Sequence, residues 1–333
     1  MPFADDGAPF RWWLVIAIVL VCLGGAGAAP PAGKPWRIGV LETTAAAKNT
    51  ANLDAFRAGM RESGYVEGQH FILEYRSAGG RAERFEYLAG ELVGLNVDLI
   101  LTRGTPAVLA ARKATRTVPI VMAAAGDPVL SGIIKSLSHP GENVTGLSSI
   151  TVDVSGKRLE LLRDALPRLS RVAVLANLGN PNNAHQWQEI ESAARSMSLQ
   201  VFPLDVRRAE DFPRTFEAAA GRRVDALVVV IDALTQANQE PIVQLAAKHR
   251  LPAIYMAREF VEAGGLIAYG VNYADLYRRA AGYVAKILKG ARPGDLPVEQ
   301  PTNFDLFINL KTAKALGLSL PHSLLLRADK VLE

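Results

Sequence analysis

The stretch Val118-Pro119-Ile120-Val121-Met122-Ala123, followed by Gly126-Asp127-Pro128-Val129 and then by Pro140-Gly141-Glu142-Asn143-Val144-Thr145-Gly146, decides how this chain reads. An uncharged apolar run bounded by turn formers fits a strand covered on both faces. A carboxylate, prolines and small hydroxyl residues then stand at its carboxyl end, where open α/β sheets place their ligands. The chemistry on offer is polar recognition, with no obvious catalyst.

Outward from this stretch, apolar strand runs alternate with amphipathic helices. Strands are expected over 36–41, 71–75, 97–101 and 119–123. Between them, Leu53, Phe56 and Met60 share one helical face, and Phe85, Leu88, Leu92 and Leu95 share another. The rhythm then restarts. A helix over 157–169 turns Leu159, Leu162, Leu166 and Leu169 inward, and strands follow at 171–176, 201–204, 226–231 and 253–256. Trp187, Ile190, Ala194 and Met197 mark a helix at core spacing, and further helices are expected over 211–221 and 238–249. Such alternation predicts parallel sheets with helices on both faces.

The stretch 267–272 reads as a connection, and helix 273–289, with Leu276, Ala280, Val284 and Ile287 on one face, is ended by Gly290. A polar, proline-bearing crossing over 295–301 leads to an apolar segment at 304–310. A chain that crosses between two halves more than once makes a hinge. The expected fold class is therefore α/β: two doubly wound parallel-sheet, Rossmann-like lobes joined by a multi-strand hinge. The first lobe takes 36–149 plus about 271–298, and the second takes 150–270 plus about 299–333.

The first 28 residues read as a signal peptide. A polar start ending in Arg11 precedes an apolar run over 12–23, and Ala26-Gly27-Ala28 has the small-residue spacing of a cleavage site. The run is shorter than the roughly 20 residues a spanning helix needs, which disfavours an anchor. Asp5 and Asp6 are unusual ahead of such a run, and Val21 is too large for lipid attachment at Cys22. Cleavage removes Arg11, Asp5 and Asp6 and moves the formal charge from +4 to +5. The remaining charges are scattered, so nucleic acid is not an expected partner. The only cysteine leaves with the signal, so neither a disulfide nor a thiolate nucleophile is expected.

Catalytic motifs are missing from the sequence. It has no Gly-x-Gly-x-x-Gly after a strand, no phosphate loop and no Gly-x-Ser-x-Gly elbow. His70, His139, His185, His249 and His322 are dispersed, with none at metal-ligand spacing. Neither cofactor, metal nor catalytic residue is expected.

Gly126-Asp127-Pro128-Val129, the Pro140-Gly141-x-Asn143-Val144-Thr145-Gly146 run, Gly264-Gly265-Leu266-Ile267-Ala268-Tyr269-Gly270 and the tail Ile308-Asn309-Leu310-Lys311-Thr312-Ala313-Lys314-Ala315-Leu316-Gly317-Leu318 carry a resemblance. Together, over 37–333, the chain resembles the ABC transporter substrate-binding proteins of the tryptophan/tyrosine-binding type. The resemblance implies a type I periplasmic binding protein that hands a small solute to an ABC permease in the inner membrane. Two departures bear on the ligand. Asn272 stands where many relatives carry an aspartate, and Ile231-Asp232-Ala233 replaces a more usual Pro-Thr-Asp-Asn-like turn.

Strand carboxyl ends supply the candidate ligand-binding residues. The first lobe offers Thr43 and Thr44 beside Glu42, then Thr102, Gly104 and Thr105, then Asp127. The second offers Asn180, Asn182, Asp232, Tyr255 and Tyr269, with Asn272 joining them if it faces the cleft. Each has a plainer alternative. Thr105 would cap a helix, Asp127 would cap a turn, Asn180-Pro181-Asn182 would be a turn, and the tyrosines would be core residues. The expected function is capture of a small solute, of which an amino acid or aromatic carboxylate is one candidate, by an exported, periplasmic monomer that delivers it to the permease. An exported ligand sensor and an α/β enzyme of unknown reaction are the alternatives; a sugar-repressor-like regulator would need a helix-turn-helix where the signal stands.

Overall fold

The computed structural model describes residues 33–149 and 154–333. The expected signal peptide lies outside the described residues. The first sheet contains β1 (Trp36–Glu42), β2 (Phe71–Ser77), β3 (Leu99–Arg103), β4 (Ile120–Ala125) and β5 (Val144–Ser148), in the order β2-β1-β3-β4-β5. All of its pairings are parallel. Side chains alternate between its faces with the period of two that a strand imposes. Ile38, Leu99, Leu101 and Val121 pack on one side with Phe56 and Met60 of helix Thr50–Glu62 and with Tyr277 and Val284 of helix Tyr273–Leu288. Leu41, Ile100, Ile120 and Met122 pack on the other with Leu88 and Leu92 of helix Phe85–Gly94 and Val108 of helix Thr105–Ala114.

The second sheet contains β6 (Arg171–Ala176), β7 (Gln200–Asp205), β8 (Ala226–Val229), β9 (Ala253–Tyr255), β10 (Ile267–Gly270), β11 (Asp305–Asn309) and β12 (Lys330–Leu332). Its order is β12-β11-β10-β9-β8-β6-β7, and only β10 and β11 pair antiparallel. The fold is that of two α/β lobes, one on a wholly parallel sheet and one on a mostly parallel sheet.

Four strands, β5, β10, β11 and β12, differ from the sequence expectation, which has no strand at Lys330–Leu332. The supposed connection at 267–272 contains β10, and the apolar segment at 304–310 contains β11. Each is too short to show a period by itself, and they pair across 34 or more intervening residues, Gly270 facing Asp305. β5 was hidden because Val144–Ser148 carries Thr145, Gly146 and Ser148 and follows a Pro-Gly pair, so it reads as loop.

The chain passes between the sheets three times. β5 is followed by helix Ser155–Ala165, which packs with helix Pro181–Ser196 of the second sheet. After β10 the chain returns into helix Tyr273–Leu288, packed along helix Thr50–Glu62. It leaves again beyond Glu299, whose bridge to Leu147 touches the edge of the first sheet, to form β11. No helix among the described residues is long and apolar enough to cross a membrane.

Candidate functional site

The carboxyl ends of β1, β3 and β4 face those of β6 and β8 across a cleft. Between them lies a cavity of about 50 Å³, within roughly 440 Å³ of atom-free space that includes its mouth. Of the residues picked from the sequence, Thr43, Gly104, Thr105, Asn180, Asn182 and Asp232 wall this cavity. Sequence reasoning passed over Arg103, Ser149, Gln236 and Tyr273, which also line it.

Arg103 brings a buried cation to the floor. It ends β3, is 4% exposed, and stacks its guanidinium 4.0 Å from the centroid of the Tyr273 ring. Its Nη2 is buried without a hydrogen-bond partner. Glu42 lies in the same buried floor. Its Oε2 accepts from the Thr43 backbone N–H at 2.8 Å, while its Oε1 has no partner. Burial pushes the Glu42 carboxyl above the usual carboxylate range, and the Arg103 charge opposes that rise. One donor of a buried guanidinium is thus left unused at the cavity wall. An unmade hydrogen bond of this kind is costly unless a ligand or water completes it.

The second lobe supplies the opposite charge. Asp232 ends the loop after β8 and caps the short helix Ala233–Ala237: its Oδ1 accepts from the Leu234 N–H at 2.8 Å, and its backbone N–H donates to Thr235 Oγ1 at 2.9 Å. Its Oδ2 accepts from Asn180 Nδ2 at 2.9 Å. Asn180 in turn caps helix Pro181–Ser196 by accepting from the Asn182 N–H at 3.1 Å. The Asn180-Pro181-Asn182 triplet is therefore a cap and a wall of the cavity together. Asn177 Nδ2 also donates to Asp232 Oδ1 at 3.4 Å, so of the roughly four acceptor positions of a carboxylate one is left for a cation.

Thr105 wins its place differently from the expected cap. Gly104, at φ 87°, is the residue before the helix, and the Thr105 hydroxyl accepts from the Gly126 N–H at 3.3 Å.

The other candidates stand away from the cavity. Asp127 Oδ1 accepts from the Val129 and Leu130 N–H groups, both at 2.9 Å, which is the turn-capping alternative. Thr44 is buried with its carbonyl accepting from the Tyr75 hydroxyl at 2.7 Å, and Thr102 is buried within β3. Tyr255 stacks on Phe260 with centroids 4.8 Å apart inside the core of the second lobe. Tyr269 packs against Phe304, and its carbonyl accepts from Arg158 Nε at 2.9 Å. Burial lowers the Arg158 pKa to about 10, so this guanidinium stays charged at neutral pH. Asn272 caps helix Tyr273–Leu288 by accepting from the Asp275 N–H at 3.1 Å, and lies in a separate hollow beside Pro301 and Asp305. Trp187 packs against the core of the second lobe.

The lobes touch across the cleft. The Asp127 N–H of the first donates to Asn182 Oδ1 of the second at 3.1 Å. A Cβ at Gly126 would stand 2.0 Å from that same oxygen, and one at Gly80 would stand 2.7 Å from the Ala237 Cβ. Only residues without side chains permit this approach.

The model of the ABC transporter substrate binding protein family matches residues 37–332. The chain belongs to that family. It is 28% identical over 264 residues to the tyrosine-binding protein of Clostridioides difficile (strain R20291), covering 79% of this chain and 75% of that one. An ABC domain from Streptococcus pneumonia in complex with L-Trp is 27% identical, with a TM-score of 0.83 over 90% of this chain and 100% of that one. The ligand-free, open structure of a substrate-binding protein with adhesive properties from Clostridium difficile is 26% identical, with a TM-score of 0.63 over 89% and 99% of the two chains.

Proposed function

We propose that this chain is the exported solute-binding component of an ABC import system, that it captures an α-amino acid between its lobes, and that it delivers it to the permease without chemical change. The observation that carries the reading is the buried Arg103 of the first lobe, its Nη2 without a hydrogen-bond partner, in the wall of a cavity that Asp232 of the second lobe also lines. A guanidinium from one lobe and a carboxylate from the other match the carboxylate and ammonium groups of a zwitterion, and engaging both draws the lobes together. The relatives that bind tyrosine and L-Trp favour a ring-bearing amino acid. The lobes of this reading are 36–149 with about 271–298, and 150–270 with about 299–333, with 1–28 removed on export to the periplasm and a monomer docking on the permease.

Calorimetry on protein refolded from denaturant, which strips carried-over solute, tests the reading. Amino acids are expected to bind, while amines of the same side chain, which lack the carboxylate, are expected not to. Arg103→Gln should weaken amino-acid binding by about tenfold to a hundredfold, the worth of a charge-assisted hydrogen bond of about 1.5–3 kcal/mol. A folded protein that binds no amino acid, or that binds amines equally well, overturns it.

A further inference from the structure

The cavity between Arg103 and Asp232 is small for a ring. At roughly 10–15 Å³ per water on the same measure, its volume of about 50 Å³ holds only a few waters. That is space for the charged end of an amino acid and little more.

Next to it lies a groove of about 320 Å³, also formed between the lobes, and Pro106 and Asn180 wall both spaces. Its composition differs from that of the inner cavity. Pro106, Leu109 and Ala110 present one apolar stripe of helix Thr105–Ala114, spaced three and four residues apart, and Ala82 and Phe85 continue it. Pro181 faces them from the second lobe. Lys113 extends the stripe to the rim, where its Nζ pairs with Glu86 at 2.7 Å.

The sill between the two spaces is formed by Pro106 and Asn180, whose existing hydrogen bonds do not depend on what crosses it. Pro106 has no N–H, and each end of the Asn180 amide makes one hydrogen bond, to Asp232 and to the Asn182 N–H. An apolar group crossing the sill therefore strips no hydrogen bond from it.

We propose that this groove is a second subsite, which takes the apolar or aromatic side chain of an amino acid whose charged end sits in the inner cavity. The inference rests on the amino-acid reading above. It makes Leu109, Ala82 and their neighbours the residues that select for side-chain size, while Arg103 and Asp232 select for the zwitterion common to all amino acids.

Photolabelling of the full chain with para-azido-L-phenylalanine, with L-tryptophan as competitor, tests the placement. Labelled peptides should carry residues 82–86 or 106–113 and lose the label under competition. Leu109→Trp and Ala82→Trp, which fill the groove from two separate segments, should each weaken L-tryptophan binding tenfold or more, with thermal melts confirming that both variants fold. Label confined to residues 231–236 or to Tyr273, or L-tryptophan affinity within twofold of the original in both variants, overturns the subsite while leaving the amino-acid reading standing. Calorimetry in which the unaltered protein binds no amino acid removes both.

Discussion

Glu42 is buried completely beneath the cleft, where Thr43, Thr44, Tyr75 and Arg103 are the groups that act on it. Its carboxyl is raised, so the folded chain holds this proton more tightly than the unfolded chain does. The stability it contributes is present in full below the ordinary glutamate range and is lost as pH rises through the raised value. Denaturant melts across that window should show stability falling with pH in the original protein and a flatter profile in Glu42→Gln. Parallel profiles would mean that Glu42 ionises as a free glutamate does. The same pair explains why Arg103 escaped notice in the sequence. In Leu99–Arg103 the arginine closes an apolar strand, and a terminal arginine reads equally well as a solvated strand end; only the Tyr273 ring and the Glu42 carboxylate around it make it a floor charge.

Helix caps separate structural asparagines from those at the site. Asn272→Ala should cost about 1 kcal/mol of stability, as loss of a cap does, and leave ligand affinity unchanged, read by thermal melts and calorimetry. Asn180→Ala should cost more and weaken binding as well, because it removes a cap and also strips a donor from the buried Asp232. Equal effects of the two would mean that Asn180 has no part in the site. The alternation of strands and helices was legible because each parallel strand is a continuous buried run and each helix shows a clear apolar face. Strand carboxyl ends then located Thr43, Thr105, Asn180 and Asp232 without further information. Tyr255 and Tyr269 misled because nothing in a strand of three or four residues says which face meets the cleft and which meets Phe260 or Phe304. Tyr273 was missed for the opposite reason: it falls in register with Tyr277, Ala280 and Val284 and so reads as core, yet as the first residue of its helix it reaches the cavity.

Closure of the whole molecule depends on bare backbone at the cleft. Gly126→Ala should fold with unchanged stability, since its backbone is not in the left-handed region, but its methyl would meet Asn182 as the lobes close. Small-angle scattering should then show that added amino acid no longer compacts the variant, with affinity reduced tenfold or more; compaction equal to that of the original protein would show that the contact does not limit closing. The three passages of chain between the sheets bear on a different property. After β5, after β10 and beyond Glu299 the backbone ties one half to the other, so severing any single tie leaves two intact. A molecule nicked by protease in the proline-bearing segment 295–301 keeps its halves joined by the other two passages, and the pairing of β11 with β10 holds the severed carboxyl-terminal piece in its sheet, so it should still run as one particle on gel filtration.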